Sequence, residues 1–166
     1  MSPGVLLRRA SPPDLAALAA LEAACFTHPW TEAQIAEEMS VDSPGGVFVL
    51  EGPPRTAAGG IRAYCAFRVV LDEMHVMNVA VAPLARRGGL ARRLLRFAIR
   101  RAARSGARTA FLELRAGNRE ALHLYESLGF RRLSTRRGYY QQPVEDAFVL
   151  VLEGLASDRA IRRGLS

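Results

Sequence analysis

The chain reads as an α+β domain built on one mixed sheet, and three observations predict it. Segments with β-branched or apolar runs of strand length alternate with segments of helical spacing in the order β-α-α-β-β-β-α-β-α-β-β. The stretch from Asn78 to Leu95 passes from a strand through a glycine turn straight into an amphipathic helix. No internal repeat or linker interrupts residues 1–153, so they are expected to form one domain, followed by a polar, arginine-bearing tail over 154–166.

Val5–Arg8 is the first short strand. Ser11-Pro12-Pro13-Asp14 is a helix start, with Ser as N-cap, Pro in the first turn and Asp as the reciprocal cap. The helix carries Leu15, Leu18, Ala19 and Glu22 towards Phe26. Thr27-His28-Pro29-Trp30 breaks it, and Thr31-Glu32-Ala33-Gln34 is a second capping box that opens a helix to about Met39. After the turn Ser43–Gly46, Val47–Glu51 and Ile61–Val70 make two strands joined by the loop Gly52–Gly60. Leu71-Asp72-Glu73 turns into the strand Met74–Val81, which Pro83 closes. Leu90, Leu94, Phe97, Ala98 and Ala102 then recur at helical spacing, and Ser105-Gly106 ends the helix. Thr109–Leu114 is an apolar strand suited to a sheet interior. Asn118 is placed to cap a helix over Arg119–Leu128 that Gly129 ends. Phe130–Thr135 and Ala147–Leu152 are the last two strands, separated by a tyrosine-bearing loop from Arg136 to Asp146.

Composition narrows the class. Hydrophobic residues make up 49% and charged residues 23% of the 166, ordinary for a globular protein. No run approaches the ~18 apolar residues of a membrane span. The opening MSPGVLLRRASPPD lacks the apolar core of a signal peptide. Cys25 and Cys65 sit among apolar neighbours, which favours free thiols in a reducing cytoplasm, and they form no zinc signature. The net charge of +7 comes entirely from arginine, since the chain has no lysine. The arginines are spread along the chain, a compositional bias more than a nucleic-acid arm, so no direct nucleic-acid partner is expected. Arg92, Arg96 and Arg100 follow helical spacing and are expected on the wet face of the helix after the turn.

The glycine turn is the most informative stretch. Arg86-Arg87-Gly88-Gly89 leads into a helix N-terminus, where unpaired amides and the positive end of the helix dipole collect. Glycines remove the Cβ atoms that would hold an anion's oxygens away from those amides, so the stretch is a plausible diphosphate cradle. A nucleotide P-loop needs GxxxxGK[ST], which a chain without lysine cannot supply, and no dinucleotide GxGxxG appears. What stands there is R-x-x-G-x-A, Arg86 to Ala91.

That string, on a strand-turn-helix, resembles the pyrophosphate loop [QR]-x-x-G-x-[GA] of the GCN5-related N-acetyltransferases. Val70-Leu71-Asp72-Glu73, Asn78–Val81, Leu112–Asn118 and Leu124–Phe130 resemble the ribosomal-protein-alanine branch of that family, in the same order. His28–Glu32, Arg136–Tyr140 and Glu145–Ala147 fit it too, so the likeness covers roughly Leu6 to Leu152. Departures are Arg86 where glutamine is common, Ala91 where glycine is common, Gly117 in place of a small polar residue, and extra residues in the loop 52–60 and at the C-terminus. The resemblance implies a three-layer fold whose central, mostly antiparallel twisted sheet has about seven strands, with about four helices. It implies acetyl-CoA as co-substrate and no metal. Direct transfer would go to the N-terminal alanine of a ribosomal small-subunit protein, S18-like, by a cytoplasmic monomer or weak dimer.

Acetyl transfer to an amine requires that the ammonium lose a proton, that the thioester carbonyl be polarised and that the leaving thiolate be protonated. Glu113, a charge inside Ala110–Leu114, is the carboxylate best suited to the first step, unless it only faces solvent or pairs with Arg115. Tyr125 is a general-acid candidate or a core aromatic with a wet tip. The resemblance makes Glu113 the base, through water, and Tyr125 the acid. It assigns the backbone of Val79, Ala80 and Val81 to the pantetheine arm and thioester carbonyl. Arg87, Gly88, Gly89, Leu90, Ala91 and Arg92 would wrap the pyrophosphate, and Asn118 would bond the pantetheine side. His28, Pro29, Trp30, Tyr139 and Tyr140 would line a peptide slot, with Asp72 and Glu73 drawing in a cationic peptide, although Pro29 and Trp30 equally suit a staple between two helices.

The acceptor can be argued from pKa. Deprotonating a terminal amine (reference ~7.7–8.0) at pH 7 costs about 1 kcal/mol, against about 4.6 for lysine (~10.4). One water-relayed carboxylate suits a protein N-terminus better. Other N-termini, lysines and small amines stand as alternative acceptors, and a catalytically silent CoA- or RNA-binding module as a different class.

Overall fold

The computed structural model describes residues 4–53 and 60–155. Seven strands form one mixed sheet in the order β1-β2-β3-β4-β5-β7-β6, with four α-helices. The strands are β1 (Leu6–Arg9), β2 (Gly46–Glu51), β3 (Ile61–Val70), β4 (Glu73–Val81), β5 (Thr109–Arg115), β6 (Arg131–Gln141) and β7 (Val144–Glu153). The helices are α1 (Leu15–Cys25), α2 (Glu32–Met39), α3 (Leu90–Arg104) and α4 (Arg119–Ser127). β4 and β5 run parallel, while β1–β2, β2–β3, β5–β7 and β6–β7 are antiparallel. This is the α+β class with the strand and helix numbers the sequence implies.

The chain forms two compact units, one from Met1–Arg68 with Met77–Ala98 and the other from Val69–Val76 with Ile99–Ser166. In the first, Leu18, Leu21, Ile35, Val47, Val49, Tyr64, Ala66 and Ala80 make one buried cluster, against which Trp30 and Phe26 pack. Each fully buried leucine there contributes roughly 1.5–3 kcal/mol. Both helix starts form as their sequences dictate. The Ser11 amide donates to the Asp14 carboxylate at 2.7 Å, and a 3-10 turn over Pro12–Asp14 leads into α1. The Asp14 carboxylate is held below the usual range, first by the Arg8 guanidinium that donates to it at 2.7 and 2.9 Å. Thr31 and Gln34 cap α2 reciprocally at 2.8 and 3.2 Å. On α3, Leu94, Ala98 and Ala102 are buried at the expected spacing, and Leu95 is buried beside them. Arg92, Arg96 and Arg100 are half-buried where a wet face was expected, and the Nε atoms of Arg96 and Arg100 are themselves buried.

In the second unit, Met74, Ala110, Leu112, Leu114, Phe130, Ala147, Leu150 and Leu155 are buried. The segment expected to be a loop from Arg136 to Asp146 is mostly strand. β6 and β7 stay paired to Gln141↔Val144, leaving a tight turn at Gln142-Pro143. Leu155, within the segment expected as a polar tail, is fully buried, and its amide donates to the Arg108 carbonyl at 2.9 Å. The rest of that tail, 156–166, lies outside the described residues, as does most of the loop expected over Gly52–Gly60.

Candidate active site

The first unit holds the glycine turn. β4 ends at Val81, a 3-10 turn covers Pro83–Ala85, and Arg86 to Gly89 form an exposed loop before α3. The Arg86 Nε donates to the Val81 carbonyl at 3.2 Å and folds the loop back on its strand. Arg87 and Gly89 both lie in the left-handed region, at φ 64° and 75°. For arginine that conformation costs on the order of 1 kcal/mol, the kind of strain that gathers at ligand sites. A Cβ at Gly89 would meet nothing within 4 Å, so backbone conformation, not crowding, calls for glycine there.

The first helical bond runs from the Arg93 amide to the Gly89 carbonyl at 3.0 Å, so α3 opens with amides that have no helical carbonyl before them. Its first turn carries no acidic residue. Arg92 and Arg93 instead place positive charge at the positive end of the dipole, an unfavourable arrangement that an anion would reverse. Exposed glycines, first-turn amides with no helical carbonyl before them and nearby arginines fit a diphosphate.

On β4 the three residues expected to serve a pantetheine arm are partly committed. The Val79 amide donates to Asn78 Oδ1 at 3.0 Å, and the Val81 carbonyl also accepts the Cys25 thiol at 3.3 Å. Ala80 is buried. His28 and Pro29 are exposed, while Trp30 is half-buried against the core. Its amide donates to Glu22 Oε2 at 2.9 Å.

The second unit holds Glu113. On β5 the side chains alternate, with Leu112 and Leu114 buried and Glu113 on the open face. Its partner is not its neighbour Arg115 but Arg136, two strands away across β7, with Nη1 3.3 Å from Glu113 Oε1. Arg115, Ala147 and Arg136 lie in one row of the β5-β7-β6 ladder, and the small Ala147 lies between the two arginines in that row. The Tyr139 hydroxyl also donates to Glu113, which raises the phenol above its ordinary pKa. Tyr140 is raised first by burial, and the Arg115 guanidinium lies 4.1 Å over its ring.

A bulge delivers Tyr139. Arg136 pairs with Ala147 and Tyr140 with Glu145, so Arg137, Gly138 and Tyr139 lie opposite Asp146 alone. Asp146 Oδ1 accepts the Gly138 amide at 2.9 Å and fixes the bulge. Glu145 Oε2 accepts the Gly117 amide at 2.6 Å, and a Cβ on Gly117 would stand 2.8 Å from that same oxygen. Asn118 spends its side-chain oxygen on the Ala121 amide at 3.2 Å, capping α4. Tyr125 is buried, edge-on to Phe130 with centroids 5.6 Å apart.

Asp72 and Glu73 lie at the other end of β5. Glu73 pairs with Thr109, four residues or roughly 13 Å of strand from Glu113. The Asp72 carbonyl accepts the Arg108 amide at 2.7 Å, and the Glu73 carboxylate meets His75 at 3.0 Å. Neither is brought to Glu113. Sequence reasoning missed Glu22, Asp146 and the Arg136 partnership. A signal existed for Glu22, the single charge in the helix LAALAALEAAC. Among the described residues no group of acidic, histidine or cysteine side chains could hold a metal ion, and no helix is long and apolar enough to cross a membrane.

The chain belongs to the acetyltransferase (GNAT) family, which residues 15–130 match. Over 99 residues it is 42% identical to the ribosomal protein bS18-alanine N-acetyltransferase of Escherichia coli strain K12, spanning 58% of this chain and 67% of that one. It is 34% identical over 139 residues to the N-alpha-acetyltransferase RimI of Mycobacterium tuberculosis strain H37Rv, covering 82% and 85% of the two chains. The crystal structure of the ribosomal-protein-S18-alanine N-acetyltransferase from Escherichia coli superposes with a TM-score of 0.79 at 33% identity, over 90% of this chain and 93% of that one.

Proposed function

We propose that the protein transfers the acetyl group of acetyl-CoA to the N-terminal α-amine of a protein, with the N-terminal alanine of an S18-like ribosomal small-subunit protein as its substrate. The likeness to enzymes named for that alanine supports the substrate. The observation that carries the chemistry is Glu113, a carboxylate on the open face of an otherwise apolar strand and gripped by Arg136 and Tyr139.

Acetyl-CoA supplies an activated thioester and a diphosphate handle. The amides at the start of α3 and the residues Arg87 to Arg92 take the diphosphate. The backbone of Val79–Val81 aligns the arm and polarises the carbonyl, and Asn118 contributes a polar contact to the arm. Glu113 accepts the proton of the incoming ammonium through water, and Tyr125 gives a proton to the departing thiolate. His28, Pro29, Trp30, Tyr139 and Tyr140 receive the peptide. A base serving an α-amine has about 1 kcal/mol to supply at pH 7, within reach of one carboxylate.

Mass spectrometry on a panel tests this reading. Peptides beginning with alanine, the same peptides with a blocked N-terminus but a free lysine, and small polyamines are each incubated with acetyl-CoA and the protein. Acetylation confined to the free alanine amine is expected. Turnover of the small amines alone would reject it.

A further inference from the structure

Glu22 is a buried carboxylate in the otherwise apolar helix α1. It is 1% exposed, and burying a carboxylate is costly unless donors replace its water. Three neutral donors do so, each from a different segment. They are the Trp30 amide between α1 and α2, the Tyr64 hydroxyl on β3 and the Asn78 side-chain amide on β4. The same Asn78 nitrogen also lies 2.9 Å from the Tyr64 oxygen.

Asn78 is oriented by these contacts. A carboxylate only accepts and a backbone N–H only donates, so its Nδ2 must face Glu22 and its Oδ1 must face the Val79 amide, 3.0 Å away. Glu22 thereby reaches the backbone of β4 through one side chain, and the segment carrying His28-Pro29-Trp30 through one amide. A hydrophobic residue could fill the same space at lower cost in a helix that is otherwise apolar. The carboxylate's use lies in what its donors hold.

We propose that Glu22 is a positioning residue for acetyl transfer, fixing the β4 backbone at Asn78-Val79 that aligns the thioester and the Trp30 segment that receives the peptide. The inference rests on the acetyl-transfer reading above.

Exchanging the two partners tests it. In Glu22→Gln the new NH2 must face another donor, either Trp30 or Asn78. In Asn78→Asp two carboxylates face each other. In the double variant E22Q/N78D, the carboxamide at 22 donates to the carboxylate at 78, which still accepts from Val79, and Tyr64 can donate to either. Steady-state kinetics with acetyl-CoA and an alanine-starting peptide, per folded enzyme, should show each single variant losing between about tenfold and a hundredfold in kcat, as small misplacements do. The peptide KM should rise as well, which a mere loss of folded protein would not cause. The double variant should return to within about threefold of wild type in kcat/KM. Single variants with wild-type kinetics, or a double variant whose loss is the product of the two, would overturn the proposal. If a single variant fails to fold, the double decides: folded and active supports it, unfolded or inactive refutes it. No turnover by the wild-type chain would instead remove the functional reading, and this inference with it.

Discussion

Glu113→Gln should lower kcat for an alanine-starting peptide by about 10²–10⁴-fold, the usual worth of a general base. The exchange keeps the shape of the side chain and leaves an oxygen for the Tyr139 hydroxyl, while the charge that answers Arg136 is lost. Acetyl-CoA affinity, read by titration calorimetry, should change little, because the cradle proposed for it lies on a different element. The deficit should also narrow as pH rises. An α-amine with a pKa near 7.7–8.0 deprotonates by itself above that range, so a missing base matters less there. A loss below tenfold, or one that stays constant from pH 6.5 to 9, would show that the Glu113 carboxylate only anchors Arg136.

Ala91→Glu should separate helix stability from cofactor binding. Position 91 is the second residue of α3, where a carboxylate is favoured by the dipole and the helix has no acidic residue of its own. The thermal midpoint should therefore hold or rise slightly. A diphosphate on the same amides would meet that carboxylate. At roughly 7 Å and an effective dielectric of about 20, one unit of charge repulsion is about 2.4 kcal/mol, or some fiftyfold in affinity. Acetyl-CoA binding should weaken by an amount of that order, and less at high salt. An unchanged affinity in a folded variant would mean that the diphosphate sits elsewhere.

Much of this fold was legible because its signals are local. The capping pairs Ser11 with Asp14 and Thr31 with Gln34 start their helices as the sequence requires. Leu94 and Ala98 face the core at the spacing that predicts α3. The β6–β7 hairpin was misread as a loop because its ordering is not local. Arg136–Tyr140 is polar and contains a glycine, yet the Asp146 carboxylate on the opposite strand holds its bulge together. The site shows the same division. A charge inside the Ala110–Leu114 run singles out Glu113, but its partner follows only from the strand order that sets β6 two places from β5. Asp72 and Glu73 are legible as an acidic pair, while the register that sets Glu73 beside Thr109, four residues along β5 from Glu113, follows only from the fold. Glu22 was visible as a lone charge among alanines and leucines, and only its three donors give that charge a meaning.

The most direct test of the central claim is a crystal structure of this chain grown with acetyl-CoA. The account predicts the two phosphates against the amides that open α3, between Arg87 and Arg92, with the arm running along Val79–Val81. Phosphates resting on any other part of the chain, with the α3 start left to solvent, would contradict it.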